Sequence, residues 1–157
     1  MVKRFLLASL VIVALTVGLS NDASAQSTYK TGLGMRIDFG DGTTLAGFSV
    51  KHFFQPHHAG EAQLLFGGNS TYLGFEYQYH DAIPNAAGLQ WYAGLGPGFQ
   101  FYNGGSNIYL RPSVGLDYKI NDVPLNVGFD WRPAALLNHG GDFNAARFGI
   151  AFRFTLN

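Results

Sequence analysis

No cysteine occurs anywhere in this 157-residue sequence. That excludes a disulfide framework and thiol-ligated zinc, so the fold must hold by backbone pairing and packing alone. Charge is scarce as well: Asp, Glu, Lys and Arg make up 13% of the residues, against about 25% in ordinary soluble domains. Lys and Arg together number 10, as do Asp and Glu, and no basic run occurs. Nucleic acid is therefore not expected as a partner. After Gln26 no stretch approaches the roughly 18 consecutive apolar residues of a membrane-spanning helix, and no helical period persists over three turns.

The apolar run that does exist lies at the start. Lys3 and Arg4 precede an apolar segment from Phe5 to Leu19, followed by the small-residue site Ala23-Ser24-Ala25. This order predicts a secretory signal peptide, residues 1–25, cleaved after Ala25. The segment is shorter than the ~20 residues a spanning helix needs, and no cysteine is present to carry a lipid. Residues 26–157 then form one domain, too short for two. Aromatic residues reach 15% and glycine counts 21, a composition that suits a membrane barrel as well as a globular protein.

What persists along residues 26–157 is period two. Turn-like clusters at Asp41-Gly42, Pro56 to Gly60, Gly67 to Ser70, Pro84 to Gly88, Asn103 to Ser106, Asn121-Asp122 and Asn138 to Asn144 divide the chain into eight segments. The segment NIYLRPSVGLDYKI, residues 107–120, places Asn107, Tyr109, Arg111, Ser113, Asp117 and Lys119 on one parity. Ile108, Leu110, Val114, Leu116, Tyr118 and Ile120 take the other. The same sorting sets Arg36 and Asp38 against Leu33, Met35, Ile37 and Phe39, and Glu76, Gln78 and His80 against Phe75, Tyr77 and Tyr79. Only the third segment, Glu61 to Gly67, reads as short and weakly patterned.

Which parity points inward follows from size. The polar positions mix large charged residues of both signs with many glycines, as a narrow lumen requires. The apolar parity would then face lipid, with Trp91, Tyr77, Tyr79, Tyr118 and Phe154 gathering at one rim and Phe39, Phe66, Phe101 and Trp131 at the other. The predicted fold is all-β, an eight-stranded antiparallel up-and-down transmembrane barrel. A soluble β-sandwich or calycin is the alternative.

The segments GLDYKINDVPLNVGFDWRPAALL (115–137), TLAGFSVKHFF (44–54) and ARFGIAFRFTLN (146–157) resemble the small, largely uncharacterised outer-membrane β-barrel proteins of Bacteroidota-type bacteria, barrels of the OmpA/OmpX type. The resemblance implies a fold and a place in the bacterial outer membrane, and no activity. The last residue, Asn157, departs from the aromatic ending common in such chains.

The lumenal parity collects the candidate site. Arg36, Lys51, Arg111, Lys119, Arg132, Arg147 and Arg153 would meet Asp38, Glu61, Glu76, Asp117 and Asp130 in a paired network that fills the interior. Its core members are Arg36, Asp38, Lys51, Glu76, Arg111, Asp117, Asp130, Arg132, Arg147 and Arg153. A lipid-modifying barrel enzyme, transferring or removing acyl chains, is the competing function; it needs a Ser activated by a His and an acid. The five histidines fit that role poorly, since His57, His58 and His139 fall in turns, His80 ends a strand, and His52 has the lipid-facing parity. Adjacent His57 and His58 read as solvated residues of a turn, not metal ligands, and Asn69-Ser70-Thr71 as turn chemistry, not a glycan acceptor. No catalytic residue, metal or cofactor is expected. The expected partners are outer-membrane lipid, the barrel-assembly machinery during insertion, and an unidentified envelope protein.

Overall fold

The computed structural model describes residues 29–157; the signal peptide expected over residues 1–25 lies outside them. The strands are β1 (Thr31–Gly40), β2 (Thr43–Gln55), β3 (His58–Gly67), β4 (Ser70–Ala82), β5 (Leu89–Tyr102), β6 (Gly105–Lys119), β7 (Leu125–Trp131), β8 (Ala134–Leu136), β9 (Asp142–Asn144) and β10 (Phe148–Leu156). Their antiparallel order is β5-β4-β3-β2-β1-β10-β7-β6, and β6 returns to β5. Every long strand thus has a partner on both sides, which closes the wall; of the described strands only the short β9 is paired on one side alone. The first described residues continue the wall, since Lys30 N donates to Leu156 O at 3.0 Å and Phe53 N donates to Lys30 O at 2.8 Å.

Ten strands reduce to eight because two strands of the wall are interrupted. β6 pairs with β7 from Val114 to Lys119 and with β8 at Tyr109 and Leu110. Extending both ladders toward each other brings Pro112 opposite Pro133, and neither proline can donate a ladder hydrogen bond. The backbone still crosses the gap, as Arg132 N donates to Arg147 O at 3.0 Å. β8 and β9 pair with each other, so they carry the same two strands past the break and into the hairpin at residues 137–141.

The tight turns follow from their residues. Asp41 and Gly42 both take positive φ, 49° and 72°, and Gly68 and Asn69 both take 58°. Two consecutive left-handed residues form the hairpin turn whose twist matches the flanking strands, which favours Asp-Gly and Gly-Asn pairs. The third strand corrects the sequence reading: it begins at His58, not Glu61, and only residues 56–57 turn. His58, Ala59 and Gly60 are drawn into the ladder by pairing with Tyr79, Gln78 and Tyr77. Similarly, Asp142–Asn144 is strand and not turn.

Burial alternates along every long strand, but with inverted chemistry. Among the most buried residues are Arg36, Lys51, Arg132, Arg153, Asp38, Asp117 and Asp130, while Met35, Phe48, Leu95, Val114, Phe129 and Phe152 stand outward and exposed. At one end, Phe54, His58, Tyr77, Tyr79, His57 and Trp91 form a run of ring contacts with centroids 5.4–6.3 Å apart. Toward the other end Phe148 stacks between Phe39 and Phe129 at 6.2 and 6.3 Å.

Candidate functional site: the charged interior

The period-two parity carries the charged side chains of seven neighbouring strands to one axis, where they sort into three groups. The first centres on Glu61 and Asp117. Glu61 Oε1 accepts from Arg153 Nη2 at 2.7 Å and Arg36 Nη1 at 3.1 Å, and Oε2 lies 3.8 Å from Lys51 Nζ. Asp117 accepts from Lys51 at 3.3 Å and from the Tyr29 hydroxyl at 2.7 Å, with Arg153 Nη1 at 3.6 Å. Arg153 also donates to Ser49 Oγ at 2.9 Å and Asn126 Oδ1 at 3.0 Å.

The second group is held by Asp130 and Glu76. Asp130 accepts from Arg36, from the Tyr92 hydroxyl, and from Arg132 Nε at 2.5 Å. Arg132 reaches Glu76 Oε2 at 3.4 Å and Gln63 Oε1 at 3.0 Å, while the Ser113 hydroxyl donates to Glu76. Glu61 and Glu76 stand directly opposite each other across β3 and β4, an unfavourable like-charge pairing. Gln78 Nε2 bridges them, donating to Glu61 at 2.8 Å and to Glu76 at 2.9 Å. Like charges are thus tolerated because each carboxylate also meets guanidinium groups.

The third group is smaller: Asp38 alone holds Arg111, at 2.6 Å, and Arg147, at 2.6 Å. Arg111 Nη2 also donates to Arg132 O at 2.9 Å and Arg147 Nη1 to Gly40 O at 2.9 Å. Burying a charge costs several kcal/mol unless it is paired and hydrogen-bonded, and the convergence of donors on shared carboxylates meets that demand. Glycine makes the room. A Cβ at Gly149 would run into Arg36 Nη2 and lie 2.6 Å from Asp130 Oδ1, and one at Gly94 would stand 2.8 Å from Ser113 Oγ.

All ten residues singled out as a lumenal network therefore lie in the interior and touch one another through these groups. Lys119 does not join them. Its Nζ caps the adjoining turn, donating to Ile120 O at 2.8 Å and Val123 O at 2.6 Å, because β6 ends there and the rim offers free carbonyls. His80 shares the lumenal parity of Glu76 and Gln78. Although it stands near the end of β4, it is fully buried, stacked on Tyr92 at 4.9 Å and edge-on to Phe53 at 4.7 Å, with Nε2 3.0 Å from Gln78 Oε1. Lys51 Nζ lies 4.5 Å from the centre of the Tyr92 ring, a cation–π contact. Tyr29, Phe53 and Tyr92 were not among the candidates; Tyr92 shares the parity of Gln90 and Gln100, which was the available signal.

The chemistry on offer is ionic pairing. Ser113 bonds Glu76, Ser49 bonds Arg153, and His80 bonds Gln78, so the serine, histidine and acid functions are spread over separate contacts. His57 Nδ1 is 2.9 Å from His80 O, and His58 Nδ1 is 2.5 Å from the Tyr77 hydroxyl. Among the described residues no group of three or more His, Asp or Glu side chains is arranged to hold a metal ion.

No family model and no curated protein matches the sequence, so the resemblance to a Bacteroidota-type group gains no support beyond the fold. Among solved structures, the chain is similar to the crystal structure of the N-terminal β-barrel domain of Pseudomonas aeruginosa OprF. The TM-score is 0.61 at 15% identity, covering 83% of this chain and 100% of that one. A likeness at this identity establishes a shared small-barrel fold.

Proposed function

We propose that this chain is a small outer-membrane barrel with a side-chain-filled lumen and a structural or interaction role in the cell envelope. The observation that carries the reading is the inversion of the wall: guanidinium and carboxylate groups inside, Met35, Phe48, Leu95, Val114 and Phe152 outside. A soluble monomer rarely exposes contiguous apolar patches beyond a few hundred Å², whereas a closed barrel in lipid needs an apolar belt all round. The aromatic run near Tyr77, Tyr79 and Trp91 suits the interface between lipid and water. Lipid is then the main partner, and the barrel-assembly machinery inserts the chain after its signal peptide is removed.

Cell fractionation combined with electrophoresis tests this directly. The chain is expected in the outer-membrane fraction, with different mobility before and after boiling, because the closed ladder resists detergent. Recovery from the soluble periplasm, with no such shift, would defeat the reading. Incubation with labelled outer-membrane lipid in the same preparation should give no turnover; turnover abolished by His80→Ala would instead support a lipid-modifying enzyme.

The paired interior leads to a second expectation. In planar bilayers the purified barrel should show no sustained conductance, because the three ionic groups occupy the axis. Stable ion-selective steps altered by Glu76→Ala would overturn the filled-lumen reading.

A further inference from the structure

The interior is asymmetric along its axis. At the end that carries the first described residues, Tyr29, Phe53 and Ala59 pack into a buried apolar cluster, with the Tyr29 and Phe53 rings edge-on at 5.2 Å. The stacked His80 and Tyr92 rings lie just above. This end is shut. At the opposite end, inside the hairpins at residues 41–42 and 137–141, the barrel opens into a cup of about 260 Å³. For scale, an apolar cavity of about 150 Å³ admits benzene.

The cup has a distinct chemistry at each level. Its floor is Arg111 and Arg147 joined through Asp38. One wall is apolar, where buried Leu45 and Tyr72 cluster with Leu65 and with Tyr109 packed against them. The Tyr109 hydroxyl donates to Gln100 Oε1 at 3.0 Å on the polar side of that wall, and at the rim Asn144 Nδ2 donates to Asp41 Oδ2 at 2.9 Å.

Charge is distributed unevenly over the three ionic groups. Glu61 and Asp117 balance Lys51 and Arg153, and Asp130 and Glu76 balance Arg36 and Arg132. Asp38 alone faces two guanidinium groups, so the interior's excess positive charge stands at the floor of the cup. Arg111 is only 5% exposed, yet its Nε has no hydrogen-bond partner among the described residues. Its guanidinium carbon lies 5.2 Å from the centre of the Tyr72 ring. A buried donor without an acceptor is costly, and a pocket that joins a few polar groups to an apolar wall is the usual form of a small-ligand site.

From this arrangement we infer that the cup binds a small organic monoanion. Its carboxylate meets the Arg111–Arg147 floor, and its flat apolar body lies against Tyr72 and Leu45. The excess positive charge is local to the floor, where Asp38 faces both Arg111 and Arg147, and suits one carboxylate seated there. The carboxylates of Asp41 and Asp142, which also line the cup, repel a second, so dianions are disfavoured. This goes beyond the proposed envelope role and does not depend on which compartment the cup faces.

Calorimetric titration of the barrel in uncharged detergent tests it, using benzoate, neutral benzamide, phenyl phosphate and inorganic phosphate, each corrected for empty micelles. Benzoate should bind saturably, one per chain, about tenfold or more tighter than benzamide and tighter than either phosphate. Ala134→Trp, which fills the cup from its side wall, should abolish that binding in a barrel that keeps its heat-dependent gel shift. A spin-labelled benzoate analogue should also broaden the Tyr72 and Tyr109 ring resonances of the unsubstituted protein, a readout that needs no variant to fold. Benzoate binding no tighter than benzamide, tighter binding of phenyl phosphate, binding untouched by a folded Ala134→Trp, or broadening confined to outward rings would each overturn the inference.

Discussion

Replacing Glu61 with alanine is expected to destabilise the barrel by roughly 3–5 kcal/mol, the cost of leaving buried charges without their partner. Glu61 is 2% exposed and accepts from Arg153 at 2.7 Å, Arg36 at 3.1 Å and Gln78 at 2.8 Å, with Lys51 at 3.8 Å. One contribution opposes the loss: the substitution also removes the like-charge pairing of Glu61 with Glu76 across β3 and β4. A cross-strand pair of that kind is worth about 1 kcal/mol at most, so the stranded cations dominate. Glu61→Gln should fall between, keeping an acceptor while losing the charge. Asp41→Asn serves as the comparison, because Asp41 lies at the exposed rim and asparagine tolerates the same left-handed φ of 49°, so stability should change by no more than about 0.5 kcal/mol. Urea unfolding in detergent, followed by aromatic fluorescence, measures all three. Equal midpoints for Glu61→Ala and Asp41→Asn would mean that the ionic groups do not hold the barrel.

The second large effect is expected on the outer face. Val114 lies within β6, the strand Gly105–Lys119, opposite Ala93 and Trp131 of its neighbours, and is 55% exposed. Were the barrel in water, Val114→Arg would add a solvated charge at the surface and change stability by about 0.5 kcal/mol or less. In lipid the same guanidinium sits near the middle of the apolar layer and costs roughly 2–4 kcal/mol. Trp91→Arg, near the aromatic rim, should cost only about 0–1 kcal/mol in lipid beyond the loss of its ring contacts. The sign of the difference between the two positions is therefore informative as well as its size. Folding into liposomes and unfolding with urea would read it, and a Val114→Arg barrel as stable as the parent would argue for an aqueous exterior.

Much of this arrangement is legible in the sequence, because a strand has only two faces and a one-residue slip would exchange them. The parity that places Arg36 beside Asp38, or Ser113 beside Arg111 and Asp117, is the parity the wall turns inward. The Asp41-Gly42 and Gly68-Asn69 turns were equally visible, since few residues accept consecutive positive φ. The start of β3 was hidden: Pro56 to Gly60 read locally as a turn, and only pairing with Tyr77 to Tyr79 makes His58, Ala59 and Gly60 strand.

Two further features were hidden because they depend on contacts between distant segments. Pro112 and Pro133 break the β6–β7 ladder only because register brings them together. Leu45, Leu65 and Tyr72 carry the lumenal parity but pack as an apolar cluster, which a polar-inside rule does not anticipate. His80 shows the same limit from the other side. Its parity with Glu76 and Gln78 points it inward, but the rings that enclose it, Phe53 from β2 and Tyr92 from β5, come from distant segments.

The account rests above all on the outer face meeting lipid, and nitroxide labels on opposite walls test that most directly. Phe48 on β2 and Val114 on β6 are 63% and 55% exposed, and three strands lie between them in either direction around the barrel. With the barrel in liposomes, power saturation should show both labels strongly relaxed by oxygen, which concentrates in the lipid interior, and weakly relaxed by a water-soluble nickel chelate. Labels at both positions relaxed mainly by the chelate, and little by oxygen, would contradict the account.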